Sequence, residues 1–460
     1  MERMSLCHQG LDVKVTDTAV TVAISAAEPM LALANALDWC HIARLAIPDL
    51  KRTTKGCWYL GRRLSLRSHL AVIILQTLLK ETDRGMEKRI EHTPVLQVFC
   101  GASVLPHWRC PDHTKIEELR NRLTPETHRA IGDYVLTVAQ RFGFADASWM
   151  DVDSTVQEAN IGYPADSVLM KKLCEKAHHV LAFLHSKKKA YIPQKLHIDI
   201  QRIRTAAHRY FFLAKTAAIE ERRAIFAHYH RLVKLELRPV IKLYESLSER
   251  RRQELPWHIQ RTLDQVRLSG WRYLLDVGHF VRTHTIKPGK CLAFHAQAVA
   301  CIKKGKVGKP HEFGRVFQLG RIGGNFMIAF PCTDVRMQDK PSLLPAIHAH
   351  RTLFGKDQLK QVGTDKGYYS ASNIKAIQAL AINADGVQRP ANIKQRPPPE
   401  ITETLKRRRA GIEPLIQHAK AFGLGRSRMK SDETALASGY RAVMGFNLHQ
   451  LMRHLHSLST

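Results

Sequence analysis

Ser148-Trp149-Met150-Asp151-Val152-Asp153-Ser154-Thr155-Val156-Gln157-Glu158-Ala159 alternates like a β-strand and sets Asp151 and Asp153 on one face. The sequence before this stretch reads as helix. Residues 27–47 and 65–92 carry apolar side chains at helical spacing, among them Leu70, Ile73, Ile74 and Leu78. Two more helices are expected at 113–123 and 125–142, the second opened by Thr124 with Pro125 in its first turn. Residues 1–143 are therefore read as a helical amino-terminal domain that contacts DNA, and 144–165 as the start of an α/β core.

Helical spacing returns from Asp166 to Lys290, with Phe226, Tyr229, Val233, Leu237, Ile241 and Tyr244 on one stripe and a kink expected at Pro239. Strand signals resume at Arg315–Gly320 and Phe326–Phe330, joined across the turn-forming Gly323-Gly324-Asn325. No helix and no Lys-Ser/Thr pair follows these glycines, so they do not make a phosphate loop. A helix over Lys340–Leu353, a strand over Gln358–Gly363 ending at Thr364-Asp365 and a helix over Ala371–Ala381 come next. The break Arg396-Pro397-Pro398-Pro399 then leads into a basic helix from Glu400. The layout is a core interrupted by a helical insertion at 166–290 and completed by 291–460.

Composition narrows the partner. With 44% hydrophobic and 24% charged residues over 460 positions, the chain is not disordered, collagen-like or a coiled coil. Lys and Arg number 71 against 41 Asp and Glu, a surplus of 30, and the isoelectric point is about 10.0. Such a field attracts polyanions, nucleic acid first, the alternative being a solvated basic face. Residues 166–290 hold 26 Lys/Arg and 11 Asp/Glu and so carry half of the surplus. That insertion reads as a surface for a polyanion or as a hairpin for self-association, and the two are compatible. Aromatics make up only 7%, which favours duplex backbone contact over base-stacking platforms.

Nine cysteines without a C-x-x-C pair argue against a zinc ribbon and a disulfide scaffold. Cys100, Cys110 and His113 come closest to a ligand cluster but fit no zinc spacing, and His178-His179 and His348-Ala349-His350 read as satisfied or surface histidines. The apolar run His69–Leu79 is short for a membrane span and Met1-Glu2-Arg3 opens no secretory signal, so a soluble, cytoplasmic, nucleoid-associated protein without membrane contact is expected.

Three acids stand out by place: Asp153 in the first strand, Asp365 after a later strand and Glu413 beyond the Pro-rich break. Carboxylates converging from strand ends and a crossing helix make an oxygen-rich site for two Mg²⁺ ions and in-line phosphodiester chemistry. On spacing alone, three ordinary surface acids are the competing account.

The local strings carry a resemblance. Asp153-Ser154-Thr155-Val156-Gln157-Glu158-Ala159-Asn160-Ile161-Gly162-Tyr163-Pro164-Ala165-Asp166 resembles the first-aspartate block of bacterial insertion-sequence transposases of the DDE type. Gly363-Thr364-Asp365-Lys366-Gly367-Tyr368-Tyr369-Ser370 resembles their second-aspartate block, and Arg408-Arg409-Ala410-Gly411-Ile412-Glu413-Pro414-Leu415-Ile416 their glutamate block. The order agrees. Arg409, Glu413 and Lys420 also fit the family's Tyr-Arg-Glu-Lys signature, while Lys406 stands where the tyrosine is expected. The likeness covers roughly residues 95–455.

The resemblance implies a ribonuclease H-like core, a mixed sheet with flanking helices, and a catalytic set of Asp153, Asp365 and Glu413 holding two Mg²⁺ ions, with Mn²⁺ able to substitute. On one continuous helix Arg409, Glu413 and Lys420 face one way, so both cations can reach DNA phosphates, although Pro414 disturbs that geometry. Lys366 is a further phosphate contact, and Asp151 either rivals Asp153 as the first ligand or supports it from behind without touching the metal. The implied activity is cleavage at mobile-element ends and strand transfer into target DNA by a homodimer or higher oligomer. The alternatives are a metal-dependent nuclease, a domesticated DNA-binding derivative, or a basic scaffold without catalysis.

Overall fold

The computed structural model describes residues 24–458 except 26, 51–65, 103–107, 187–195, 214–215, 297, 307–308 and 394–396. Met1-Glu2-Arg3 and Arg396 of the Pro-rich break lie outside the described residues. The fold is mixed α/β, with a six-stranded mixed sheet. Contacts divide it into two compact units, Met1–Gln157 with Val316–Ser427 and Glu433–Thr460, and Glu158–Arg315 with Arg428–Asp432.

The first unit opens with α1 (Pro29–Ala36), α2 (Trp39–Leu50), α3 (Leu66–Leu79), α4 (Asp83–Glu91), α5 (Pro94–Phe99), α6 (His113–Arg122) and α7 (Pro125–Arg141). Thr124 caps α7 by accepting from the Thr127 N–H, and Pro125 fills the first turn, where its missing N–H costs nothing. In α3 the run His69–Leu75 is buried on every side, which suits a helix at the centre of a core better than one at its surface. Then comes β1 (Trp149–Glu158).

The second unit holds α8 (Asp166–Ser186), α9 (Ile200–Leu213), α10 (Ile219–Ser246), α11 (Glu249–Gln253), α12 (Trp257–Asp264) and α13 (Trp271–Thr283), followed by β2 (Ala300–Lys306). α10 extends 28 residues through Pro239. Its core gathers the apolar stripe Phe226, Tyr229, Val233, Leu237 and Ile241 of α10 with Leu173, Tyr273 and Leu274.

The chain re-enters the first unit along β3 (Lys309–Ile322), continuing through β4 (Phe326–Ala329), α14 (Asp339–Phe354), β5 (Gln361–Thr364), α15 (Ala371–Ala379), β6 (Asn383–Val387), α16 (Pro399–Ala410), α17 (Ile412–Ala419) and α18 (Asp432–Ser457). Strand order is β2-β3-β1-β5-β6, with β4 also on β3. β3 runs antiparallel to β2 and β4, while β5 runs parallel to β1 and β6. Gly323-Gly324-Asn325 turns β3 into β4 with φ of 75° at Gly324 and 62° at Asn325, the left-handed backbone that Gly and Asn tolerate.

Period-two alternation splits β4 between two cores: Phe326, Ile328 and Phe330 join a cluster with α14 and the amino-terminal helices, whereas Met327 and Ala329 join one with α17 and α18. Residues 1–143 and 144–165 were set apart by sequence, yet α1–α7 share the first of these cores with β1, α14 and α15. The expected insertion, 166–290, falls wholly in the second unit. Two strands, β2 and β6, lie outside the strand signals of the sequence. Asn383-Ala384-Asp385-Gly386-Val387 is weak strand sequence; it pairs because Gly386 lets its backbone lie against Val362 and Gly363 of β5.

Candidate active site

β1 and β5 are in parallel register, Asp151 with Gly363 and Val152 with Thr364. The next step along that register sets Asp153 beside Asp365, which immediately follows β5. Asp151 and Asp153 share a face but not an environment. Asp151 is wholly buried over Gly363, where any Cβ would collide with its Oδ1. That Oδ1 accepts from Arg408 Nη2 at 3.0 Å, while Arg408 Nη1 donates to Gln361 Oε1 at 2.5 Å. The Arg408 guanidinium lies 4.6 Å from the centre of the Trp149 ring and that of Arg321 5.5 Å from it. Arg321 Nη1 also donates to the Arg408 carbonyl at 2.6 Å. Burial raises the Asp151 pKa, and Arg408 opposes the rise. Asp151 thus ties the end of α16 to β1.

Asp153 keeps a partly exposed carboxylate. Its Oδ1 accepts from the Ser154 N–H at 2.7 Å and its Oδ2 lies 3.8 Å from Arg409 Nη1. Asp365 caps a single turn by accepting from the Gly367 N–H at 2.8 Å. The Asp153 pKa is raised, first by burial and also by the negative charges of Asp365 and Asp339, with the Ser154 N–H and Arg409 pulling against them. Asp339 is the first residue of α14, one residue before the start expected from the sequence.

Glu413 is not brought into this group. It is exposed in the first turn of α17, and Asp153, Asp365 and Glu413 do not offer oxygens within 4.8 Å of one another. The single helix expected to carry Arg409, Glu413 and Lys420 is divided at Gly411 between α16 and α17. Pro414 has no N–H for the Ala410 carbonyl, and Gly411 packs on the Arg321 guanidinium where a side chain would clash. Arg409 therefore pairs with Asp153 at the end of α16, Lys420 caps α17 half-buried, and Lys366 is exposed beside Asp365. Lys406, at the expected tyrosine position, pairs with Glu403 at 3.6 Å.

The donors around Asp153 are carboxylate oxygens, which suit a hard cation such as Mg²⁺ or Mn²⁺ over a soft one. Away from them, His113 Nδ1 lies 2.8 Å from Glu87 Oε2 and 3.5 Å from Asp112 Oδ2, a group accounted for by an ion pair and the α6 cap. Burial pushes the Cys110 thiol up to about 12 and the Cys100 thiol higher, so both stay protonated rather than serve as thiolate ligands. No family model, curated protein or solved structure matches the chain.

Proposed function

We propose that the chain is a DDE-type transposase with a ribonuclease H-like core, cutting DNA at the ends of a mobile element and joining the freed 3′-hydroxyl to target DNA. The observation that supports this reading is the parallel β1–β5 register, whose next step sets Asp153 of β1 beside Asp365, just past the end of β5. The strand order adds support: β1 lies between the antiparallel β3–β4 hairpin and the parallel pair β5 and β6, with Asp153 near its middle.

A divalent cation held by the aspartates would supply Lewis-acid charge to the attacking and leaving oxygens. The chain's own groups do the rest. Asp153 and Asp365 present oxygens, Arg409 orients the Asp153 carboxylate and adds positive charge for a phosphate, and exposed Lys366 reaches the backbone beside them. Two element ends need two such sites, so the working assembly is at least a dimer on duplex DNA, in the cytoplasm at the nucleoid. The exposed position of Glu413 favours the second reading, a DNA-binding derivative or nuclease without joining, unless DNA draws α17 toward the aspartates.

The test is strand cleavage and joining on labelled DNA carrying the flanking terminal repeats, in Mg²⁺, with wild type and Asp365→Ala. Losing a ligand that organises several kcal/mol of charge stabilisation lowers the rate about a thousandfold while DNA binding persists. Binding without cleavage by both proteins, with equal salt dependence, selects the scaffold or domesticated reading.

A further inference from the structure

We propose that the solvent face of α10 is a docking surface for duplex DNA, with Arg231, Lys234, Arg238 and Lys242 laid along the sugar–phosphate backbone. The inference rests on the DNA-processing reading above and gives it a contact surface outside the unit that holds Asp153 and Asp365.

The four cations recur every three or four residues, so they form one stripe about 16 Å long on a 28-residue helix, and all four are exposed. The acids of the same stretch are engaged elsewhere: Glu236 accepts from the Asp199 N–H at 3.0 Å and lies 4.0 Å from Arg202, and Glu245 pairs with Arg267 at 2.9 Å. Among the described residues no carboxylate pairs with any of the four. Other exposed helices of the chain interleave their signs, as Lys115 with Glu118 and Arg407 with Glu403. Like charges one turn apart cost a helix stability, and α10 carries three such steps in succession, 231 to 234, 234 to 238 and 238 to 242. A polyanion lying along the face reverses that cost. The positive field continues onto α13, where Arg282 is exposed: burial lowers the His230 pKa against the Leu274 carbonyl, and the charges of Lys234 and Arg282 lower it further.

The surroundings of the stripe select the polyanion. The opposite side of α10, with Phe226, Tyr229, Val233, Leu237 and Ile241, is closed into the core of its unit, so the helix keeps no apolar stripe to enter a membrane. Between Arg231 and Lys242 the only other exposed side chains are Leu235 and Pro239, and neither offers a ring on which a base could stack. Backbone contact is what such a face can make, and a duplex presents a regular run of phosphates for it. A second copy of the chain would set like charge against like.

The test uses full-length protein and a labelled duplex of arbitrary sequence, with affinity measured between 50 and 200 mM salt for wild type and for Arg231→Gln, Lys234→Gln, Arg238→Gln and Lys242→Gln combined. Four lost phosphate contacts should reduce the slope of log affinity against log salt by about 3.6, so the advantage of wild type shrinks about a hundredfold across that range. Melting temperature should not change, because the four side chains touch no core. If the combined variant melts lower, Arg238→Gln alone serves, with a reduction of about 0.9. The swap Arg231→Lys, Lys234→Arg, Arg238→Lys and Lys242→Arg should keep the slope, since a phosphate contact of this kind depends on charge.

A combined variant that keeps the wild-type slope while wild type binds the duplex overturns the surface and leaves the transposase reading standing. A wild type that prefers an RNA duplex of equal length, or phosphatidylserine vesicles, overturns DNA as the occupant. If the slope falls as expected but cleavage of terminal-repeat DNA is the same in wild type and Asp365→Ala, the surface stands and the transposase reading goes. A wild type that binds no duplex removes both.

Discussion

Both units pair buried charges, but they treat apolar surface differently. In the first, charged groups are drawn inside and paired: Asp151 with Arg408, Asp153 with Arg409, and Arg120 with Asp83. In the second, the core is closed, but of the thirteen large apolar residues that are exposed among those described, ten belong to it, including Tyr163, Phe211, Phe212, Leu235 and Trp257. The same unit contains the segment with half of the net positive charge. The first unit holds acids in place, and the second leaves more large apolar side chains exposed.

That contrast is broken most directly at Arg408. Truncation to Ala leaves the buried Asp151 charge uncompensated and should lower the stability of the first unit by about 3–5 kcal/mol, read from denaturant midpoints. Arg408→Ala combined with Asp151→Asn should recover part of the loss, because the orphan charge is gone. By contrast, the exposed Arg250–Glu254 pair of the second unit should contribute nothing measurable when Glu254 is changed to Gln.

Acid is the next probe. Burial holds His128 neutral down to about 3 and His350 down to about 4, both in the first unit. The unfolded chain takes up these protons near 6.5 and the native chain does not, so stability falls as pH drops from about 6.5 toward 4. For His350 alone the loss amounts to about 3 kcal/mol across that window. Asp133, raised to about 6 by burial, runs the other way: the native state binds its proton first and gains stability between about 6 and 4. Urea midpoints at pH 7 and pH 4.5 should therefore converge in His350→Gln and diverge further in Asp133→Asn.

Glycine packing gives a smaller effect. A Cβ on Gly439 of α18 would run into the Phe317 ring, which cannot turn aside in a closed core. Gly439→Ala should cost about 1–3 kcal/mol in overpacking, offset only in part by the about 1 kcal/mol that Ala gains in a helix. In the second unit a Cβ on Gly270 meets only the tip of the buried Leu173, more adaptable than a ring, so Gly270→Ala should cost less than Gly439→Ala in the same melts. Equal costs at the two sites would mean that the second core is as rigid as the first.

What could be read beforehand follows the same divide. β1, the β3–β4 hairpin, α7 and α14 each announce themselves by period, cap or turn chemistry within a dozen residues, and the structure has them at nearly the expected positions. The positions of Asp153 within β1 and of Asp365 just after β5 are legible from the strand patterns around them. β6 was not, because its pairing comes from Gly386 and Gly363 meeting across 22 intervening residues. The division of α16 from α17 was half legible, through Pro414, but the Arg321 side chain filling the space at Gly411 was not.

The smallest stability effects belong to the second unit's surface, and there the readout changes from melting to binding. Trp257 is 68% exposed, with the Arg261 guanidinium 5.5 Å from its ring, and Ser248 caps the short α11 that carries the exposed Arg250 and Arg251. Changing Arg250 and Arg251 to Ala should alter stability by no more than about 0.5 kcal/mol each. If this tip meets DNA phosphates, each lost contact should reduce the slope of log affinity against log salt by about 0.9, with weakening that is uniform across sequences. If it meets a second copy of the chain instead, the slope should hold and Trp257→Ala should shift the sedimentation coefficient, because an exposed indole is the side chain an interface core would bury. The two results assign the surplus charge of this unit either to the substrate or to the assembly, and only the first makes its apolar surface an accessory of DNA binding.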